Sequence, residues 1–141
     1  MDATRRAFAE YRAGAKTAED LYRTMCKDIV ANVGSTRASI WTVSPLHDRI
    51  VCLCLYDTRT GAFSSGSVLS DEDFPEYFQA IHKDGILVAP DACEHPATKC
   101  FDEVCFVPND IRSLLDIVVV DGTAPLAIQC CEHCGSIIVR T

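Results

Sequence analysis

Close to the C-terminus stands the run Cys130-Cys131-Glu132-His133-Cys134-Gly135, three cysteines and a histidine within five positions. Thiolate and imidazole are the usual zinc ligands, and Cys131-x-x-Cys134-Gly135 has the spacing of a zinc knuckle. The same spacing serves disulfide exchange where a helix N-terminus lowers the thiol pKa. The surroundings favour neither chemistry. In an extended strand Ile128, Cys130, Glu132 and Cys134 point one way while Gln129, Cys131 and His133 point the other, so the two sulfurs of the knuckle diverge. A tetrahedral site also needs two more ligands, and the only remote candidates are His95, Cys100 and Cys105. The residues from Gly135 to Thr141 do not open a helix. The run therefore reads as the end of a buried strand, with no metal expected.

A second cluster, Cys93, Cys100 and Cys105 within "DACEHPATKCFDEVC", could supply an attacking and a resolving thiol. The chain has nine cysteines, an odd number, and no export signal, so a disulfide framework is not expected. In a reducing compartment cysteine acts mostly as a small buried hydrophobe. No Ser/His/Asp set, phosphate-cradling glycine loop or paired-carboxylate motif occurs at usable spacing, and no catalytic residue is assigned.

The elements that must position these residues follow from periodicity. Thr17 can cap a helix running to about Val33, with Asp20 near its positive end, Leu21, Met25 and Ile29 on one face, and Gly34 at its close. Residues 2 to 13 form a shorter helical piece with Phe8 and Tyr11 on one side, and Gly14 marks a kink between the two. "RASIWTV" and "IVCLCLYD" are neighbouring antiparallel strands joined by a loop with Pro45 and Asp48. A short strand follows around "GAFSSGSV". Asp73 is a plausible cap, and Pro75 opens an amphipathic helix with Phe74, Tyr77, Phe78 and Ile81 on one face, closing at Gly85. "ILVAPD" is a brief strand and "ATKCFDEVCF" a helical turn. "RSLLDIVVVDG" and "PLAIQCCEHCG" form a hairpin around Asp121-Gly122. The layers predicted are α+β.

With 141 residues and 48% hydrophobic content, one compact core is expected. A formal net charge of -7 removes the attraction to phosphate backbones and anionic lipid, so neither nucleic acid nor a membrane surface is an expected partner. No stretch approaches the length of a spanning helix, and the N-terminus is not a signal peptide, so the chain is expected to be cytoplasmic.

"RASIWTV" with "CLYD", then "FPEYFQAI", "VAPDACEHPAT", "IRSLLDIVVVDG" and "IQCCEHCG", together resemble the GAF domain family of small-molecule sensors, over about Leu21 to Gly135. The resemblance implies a central antiparallel sheet of about six strands in a PAS-like three-layer arrangement. The N-terminal helix lies on one face, and short helices and loops cover a pocket on the other. Residues 1–16 become a helical extension and 17–141 the GAF domain, whose usual C-terminal helix is expected to be missing. The implied function is a non-catalytic sensory domain in bacterial signalling. It would bind a small molecule, dimerise through its N-terminal helix and act on an output domain or protein. Asp91, Thr98, Ser113 and Asp116 are carried over from the family's loop and strand motifs, with local turn-capping as their alternative role. Phe74, Tyr77 and Phe78 would wall the pocket from the central helix, alternatively serving as helix core. Trp41, Tyr56, Cys93 and Phe101 complete the candidate ligand-binding set, Cys93 also being where a bilin could attach. No cofactor is named by these residues. The alternative function is a thiol enzyme of the free methionine sulfoxide reductase type, a GAF-fold activity run by pocket cysteines.

Overall fold

A computed structural model describes residues 2–101 and 107–135. Two helices come first, α1 (Asp2–Arg12) and α2 (Ala18–Val33). Thr17 caps α2 by a reciprocal box: its hydroxyl accepts from the Asp20 amide at 3.1 Å, and the Asp20 carboxylate accepts from the Thr17 amide at 3.2 Å. Gly34 closes the helix at φ +76°, a left-handed conformation that lets its amide reach the Val30 carbonyl. The expected kink at Gly14 is a reversal. Helix α1 folds back along α2, tied by Thr4, whose amide and hydroxyl both donate to Asp28 Oδ2, at 3.2 and 2.7 Å. Ala7 is the residue α1 buries, while Phe8 and Tyr11 face outward at 49% and 42% exposure.

The strands are β1 (Arg37–Val43), β2 (Arg49–Asp57), β3 (Ala62–Ser64), β4 (Val68–Ser70), β5 (Ile86–Ala89), β6 (Ile111–Asp121) and β7 (Ala124–Cys134). They form one antiparallel seven-stranded sheet in the order β3-β2-β1-β7-β6-β5, with β4 also paired to β2. The one short strand expected around residues 61–68 is two, because the chain turns at Gly66 (φ +96°) and pairs with two separate stretches of β2. Helix α3 (Pro75–Asp84) follows β4 and ends at Gly85, φ +72°. Asp73 does not cap it. Phe74 holds the cap position without a side-chain bond, and Asp73 instead accepts from the Ser70 hydroxyl at 3.1 Å. Of the expected turn at 97–106, Lys99–Phe101 is a 3-10 turn; residues 102–106, Cys105 among them, lie outside the described residues, as do 136–141.

Alternation along the strands divides the apolar residues between two layers. Cys26, Ile29 and Val30 of α2 pack on Ala38, Ile40, Cys54 and Cys131. On the other face Tyr77, Phe78 and Ile81 of α3 pack on Ile50, Leu87, Ile111, Leu114 and Ile128. Strand β7 alternates as its spacing predicts, with Cys131 beneath α2 and Cys130 and Cys134 on the α3 side. A bulge between Ile40 and Trp41 leaves Leu53 unpaired and turns Cys52 toward a different partner from Cys54.

Two consequences can be measured by urea unfolding. Ile29→Ala, which empties the contact between α2 and the sheet, should lower stability by about 2 to 5 kcal/mol. Cys131→Ser should cost about 1 to 3 kcal/mol, and Cys131→Ala or Cys131→Val less, because only serine adds a hydroxyl to an apolar layer. Equal collapse of all three Cys131 variants with release of a stoichiometric metal would refute the strand reading.

Candidate functional site

The antiparallel register of β1 on β7 and β7 on β6 stacks inward side chains in rows. Arg37 pairs with Glu132, which pairs in turn with Leu114, and Ser39 pairs with Cys130, which pairs in turn with Asp116. Trp41 follows opposite Ile128. Over these rows lies a cavity of about 410 Å³, roofed by Phe74 and Tyr77 at the start of α3, by Phe101, and by the segment from Ser67 to Leu69. That is within the size range of small-molecule sites. The rings form a wall: Phe74 and Phe101 centroids are 4.5 Å apart, and Tyr77 meets Phe101 edge-on at 5.1 Å. Trp41 is held by its indole N–H, which donates to Ser39 Oγ at 2.8 Å.

Against these apolar walls sit three charged side chains. The Tyr77 hydroxyl donates to Asp116 Oδ2 at 2.6 Å, across the gap between α3 and β6. Arg37 Nε approaches Glu132 Oε1 at 3.4 Å, an ion pair without hydrogen-bond geometry. Among the described residues, four buried side-chain polar atoms lack a hydrogen-bond partner, and three of them border this cavity: Arg37 Nε, Arg37 Nη1 and Asp116 Oδ1. The fourth, on Ser35, borders a shallower groove of about 260 Å³ between the end of α2 and β5–β6. Arg37 is 7% exposed and Asp116 3%.

Burial disfavours the ionised carboxylates. Asp116 is pushed up from its usual 3.8 to about 6 by desolvation, with Cys130 and Tyr77 pulling the other way. Glu132 is pushed up from 4.5 to about 7, desolvation outweighing the nearby Arg37. Desolvation also raises the Tyr77 hydroxyl and the Cys130 thiol well above their ordinary values, so both stay protonated at neutral pH.

Of the residues singled out from the sequence, the structure brings Trp41, Phe74, Tyr77, Phe101 and Asp116 to the cavity wall. Phe78 is buried behind it, edge-on to Tyr77. Tyr56 is on the opposite face, where it stacks on Phe63 at 4.8 Å and packs against the α2 layer. Ser113 borders the shallower groove. The Thr98 side chain acts locally, its hydroxyl donating to the Ala92 carbonyl at 2.7 Å, while the Asp91 backbone carbonyl accepts the amides of Glu94 and His95. Cys93 lies beside the inner cluster with Sγ directed at the Ile111 carbonyl, 3.7 Å away. Sequence reasoning passed over Arg37 and Glu132. The signal was there in parity, since Arg37 shares its face with Trp41 and Glu132 shares its face with Ile128.

No protein-family model and no curated protein matches the chain. Solved structures do match in fold. The phycocyanobilin-bound GAF domain of a cyanobacterial phytochrome aligns with a TM-score of 0.73 at 15% identity, over 99% of this chain and 82% of that one. The GAF domain of a phosphoenolpyruvate-protein phosphotransferase from Coxiella burnetii aligns with a TM-score of 0.67 at 16% identity, over 94% and 76%. Free methionine-R-sulfoxide reductase from Neisseria meningitidis, in complex with its substrate, aligns at 0.59 and 12%, over 93% and 71%. The protein has the GAF-domain fold.

Both inward carboxyls have folded-state pKa values above their usual ones, so the stability they contribute is complete below about pH 4 and is lost as the pH rises through about 6 for Asp116 and about 7 for Glu132. Unfolding free energy should therefore fall across that window. Asp116→Asn and Glu132→Gln should each flatten the fall, which urea titrations at stepped pH will show. Variants that track the wild-type slope would rule this out.

Proposed function

We propose that this chain is a regulatory domain that binds a small molecule in the cavity between the sheet and α3. The observation that carries this reading is the presence of unpartnered polar atoms on Arg37 and Asp116, both buried and both bordering one cavity. A buried donor or acceptor left unsatisfied costs roughly 1 to 3 kcal/mol, more when charged. A ligand that satisfies these atoms recovers that penalty only in the bound state. The fold neighbours include proteins with molecules bound, a phycocyanobilin in one and a substrate in another.

The mechanism is linkage: a ligand that binds one arrangement of α3 and its flanking segments better than another shifts the population by that difference. Tyr77 is the connecting part, because its ring roofs the cavity while its hydroxyl holds Asp116. The shift would pass to an output domain or protein. Homodimerisation through the N-terminal helices fits the outward Phe8 and Tyr11 of α1. We place the chain in the cytoplasm, and no helix of the described residues is long and apolar enough to cross a membrane.

Thiol chemistry of the sulfoxide reductase type is the competing reading, and the state of two thiols speaks against it. Cys130 faces the cavity but is held protonated by burial beside Asp116 and Glu132, and burial raises Cys100 as well. A nucleophilic thiol needs the opposite shift.

Native mass spectrometry of protein purified from its own host should show a bound small molecule. Ser67→Phe at the cavity mouth should lose that molecule and its melting shift without unfolding the chain. Turnover of free methionine sulfoxide that depends on Cys93 or Cys100 would overturn the reading. Sedimentation should give a dimer at micromolar concentration, shifted to monomer by Phe8→Glu with Tyr11→Glu; a wild-type monomer would remove the dimer proposal.

A further inference from the structure

We propose that the cavity takes a small, flat organic acid that also carries an N–H or O–H donor, and that seating its acid group on Arg37 draws a proton from solvent onto Glu132. This rests on the small-molecule reading above and specifies the ligand's chemistry.

A guanidinium cannot give up its proton and can only donate, so the part of the ligand that meets Arg37 Nε and Nη1 must be an acceptor. A carboxylate or similar anion fits best, because hydrogen bonds to an ionised acceptor are the stronger ones and the anion offsets the buried charge. At Asp116 the requirement is reversed. Oδ2 is already used by Tyr77, Oδ1 makes no hydrogen bond of good geometry, and the other donor acting on this carboxyl is the weak Cys130 thiol. At neutral pH this group is ionised, so a second anion would be repelled there and an N–H or O–H donor attracted. The two ends of the ligand are thus of opposite hydrogen-bonding character. Between them Trp41, Phe74, Tyr77 and Phe101 leave an apolar space bounded by rings, and about 410 Å³ suits one or two fused rings.

The proton follows from charge balance. The groups acting on Glu132 are Arg37 and Arg59, which favour its ionised form, and Asp116 and Asp57, which oppose it, beside desolvation. The neighbouring Cys130 stays protonated. Arg37 is the cation paired with it across β1 and β7. A ligand anion on Arg37 shares that cation and adds a negative charge beside Glu132. The carboxylate then takes a proton from water and becomes a neutral acid, so binding tightens as the pH falls toward neutrality.

The test uses para-hydroxybenzoate and orotate, each beside its neutral amide, with para-methoxybenzoate as an acid lacking the donor. Calorimetry is run just above the Glu132 midpoint of about 7, in phosphate and in Tris. Expected are binding of at least one donor-bearing acid about tenfold tighter than its amide, and of para-hydroxybenzoate tighter than its methoxy analogue. The heat should differ between buffers in proportion to a proton taken up. Glu132→Gln should keep binding and lose the buffer dependence. Arg37→Met with Glu132→Gln, which removes both charges together and strands neither, should lose the preference for acid over amide.

Amides binding as well as acids, or a preference that survives in the double variant, overturns the acid assignment while leaving a small-molecule site. Buffer-independent heats in the wild type overturn the proton step. Failure of every acid overturns the assignment too. If the protein also purifies empty from its host, the small-molecule reading falls with it.

Discussion

The register of β1 against β7 is the constraint on which the inner side of this molecule depends. With Arg37 opposite Glu132, Ser39 opposite Cys130 and Trp41 opposite Ile128, one run of the central ladder fixes a charged row, a small polar row and an aromatic row. A slip of β1 by one residue would turn its Arg37, Ser39 and Trp41 side chains to the other face. It would put Ala38 and Ile40 into the cavity and drive a guanidinium under α2. The α2 layer cannot accept that charge, since Ile29 and Val30 are apolar and the Cys26 thiol is already directed at the Cys54 carbonyl. The dry face therefore enforces the register that the wet face uses.

This division explains how the fold tolerates buried charge. Ionised groups in a low-dielectric site are unfavourable even when paired, and the Arg37–Glu132 contact at 3.4 Å is a loose pair. The offsetting terms lie elsewhere: the apolar contact of α2 on the sheet, the reciprocal cap at Thr17 and Asp20, and the α3 residues Phe78 and Ile81, both nearly inaccessible. Two of the helices stabilise the sheet on opposite faces, but only α3 contributes to the cavity. Its first turn gives Phe74 and Tyr77 to the site and its later residues to the core, so the site and the packing share one rigid element.

Much of the fold could be read along the chain because its signals are local. Thr17, Asp20 and Gly34 bracket α2, and strict alternation from Ile128 to Cys134 assigns each residue of β7 to its face. Local signals failed where the outcome depended on distant contacts. Gly14 marks a break whether the chain bends or reverses, and the reversal is decided by Thr4 meeting Asp28. Asp73 has the right type and position for a cap, but Ser70 captures its carboxylate first. At the site the same limit holds. Tyr56 belongs to a β-rich run whose parity is shifted by the bulge at Leu53, and a bulge leaves no mark in composition. The Thr98 hydroxyl is occupied by its own loop. Arg37 and Glu132 are ordinary surface residue types, and only the parity of their strands places them inside.

The two margins of the sheet are short. On one side β5 has four residues, and on the other β3 and β4 have three each, set on separate stretches of β2 with the Gly66 turn between them. An open margin offers unpaired amides and carbonyls to any extended chain, and its danger grows with its unbroken length. Here the longest strands, β6 and β7, have neighbours on both sides, β7 between β1 and β6, and β6 between β7 and, over residues 114–117, β5. A foreign strand would find only short regular runs at either border, and between β3 and β4 the edge is interrupted at Gly66, whose amide is taken by the Cys52 carbonyl. A chain with nearly half its residues hydrophobic thus keeps much of its strongest strand-forming backbone inside the sheet, where polymerisation cannot extend it.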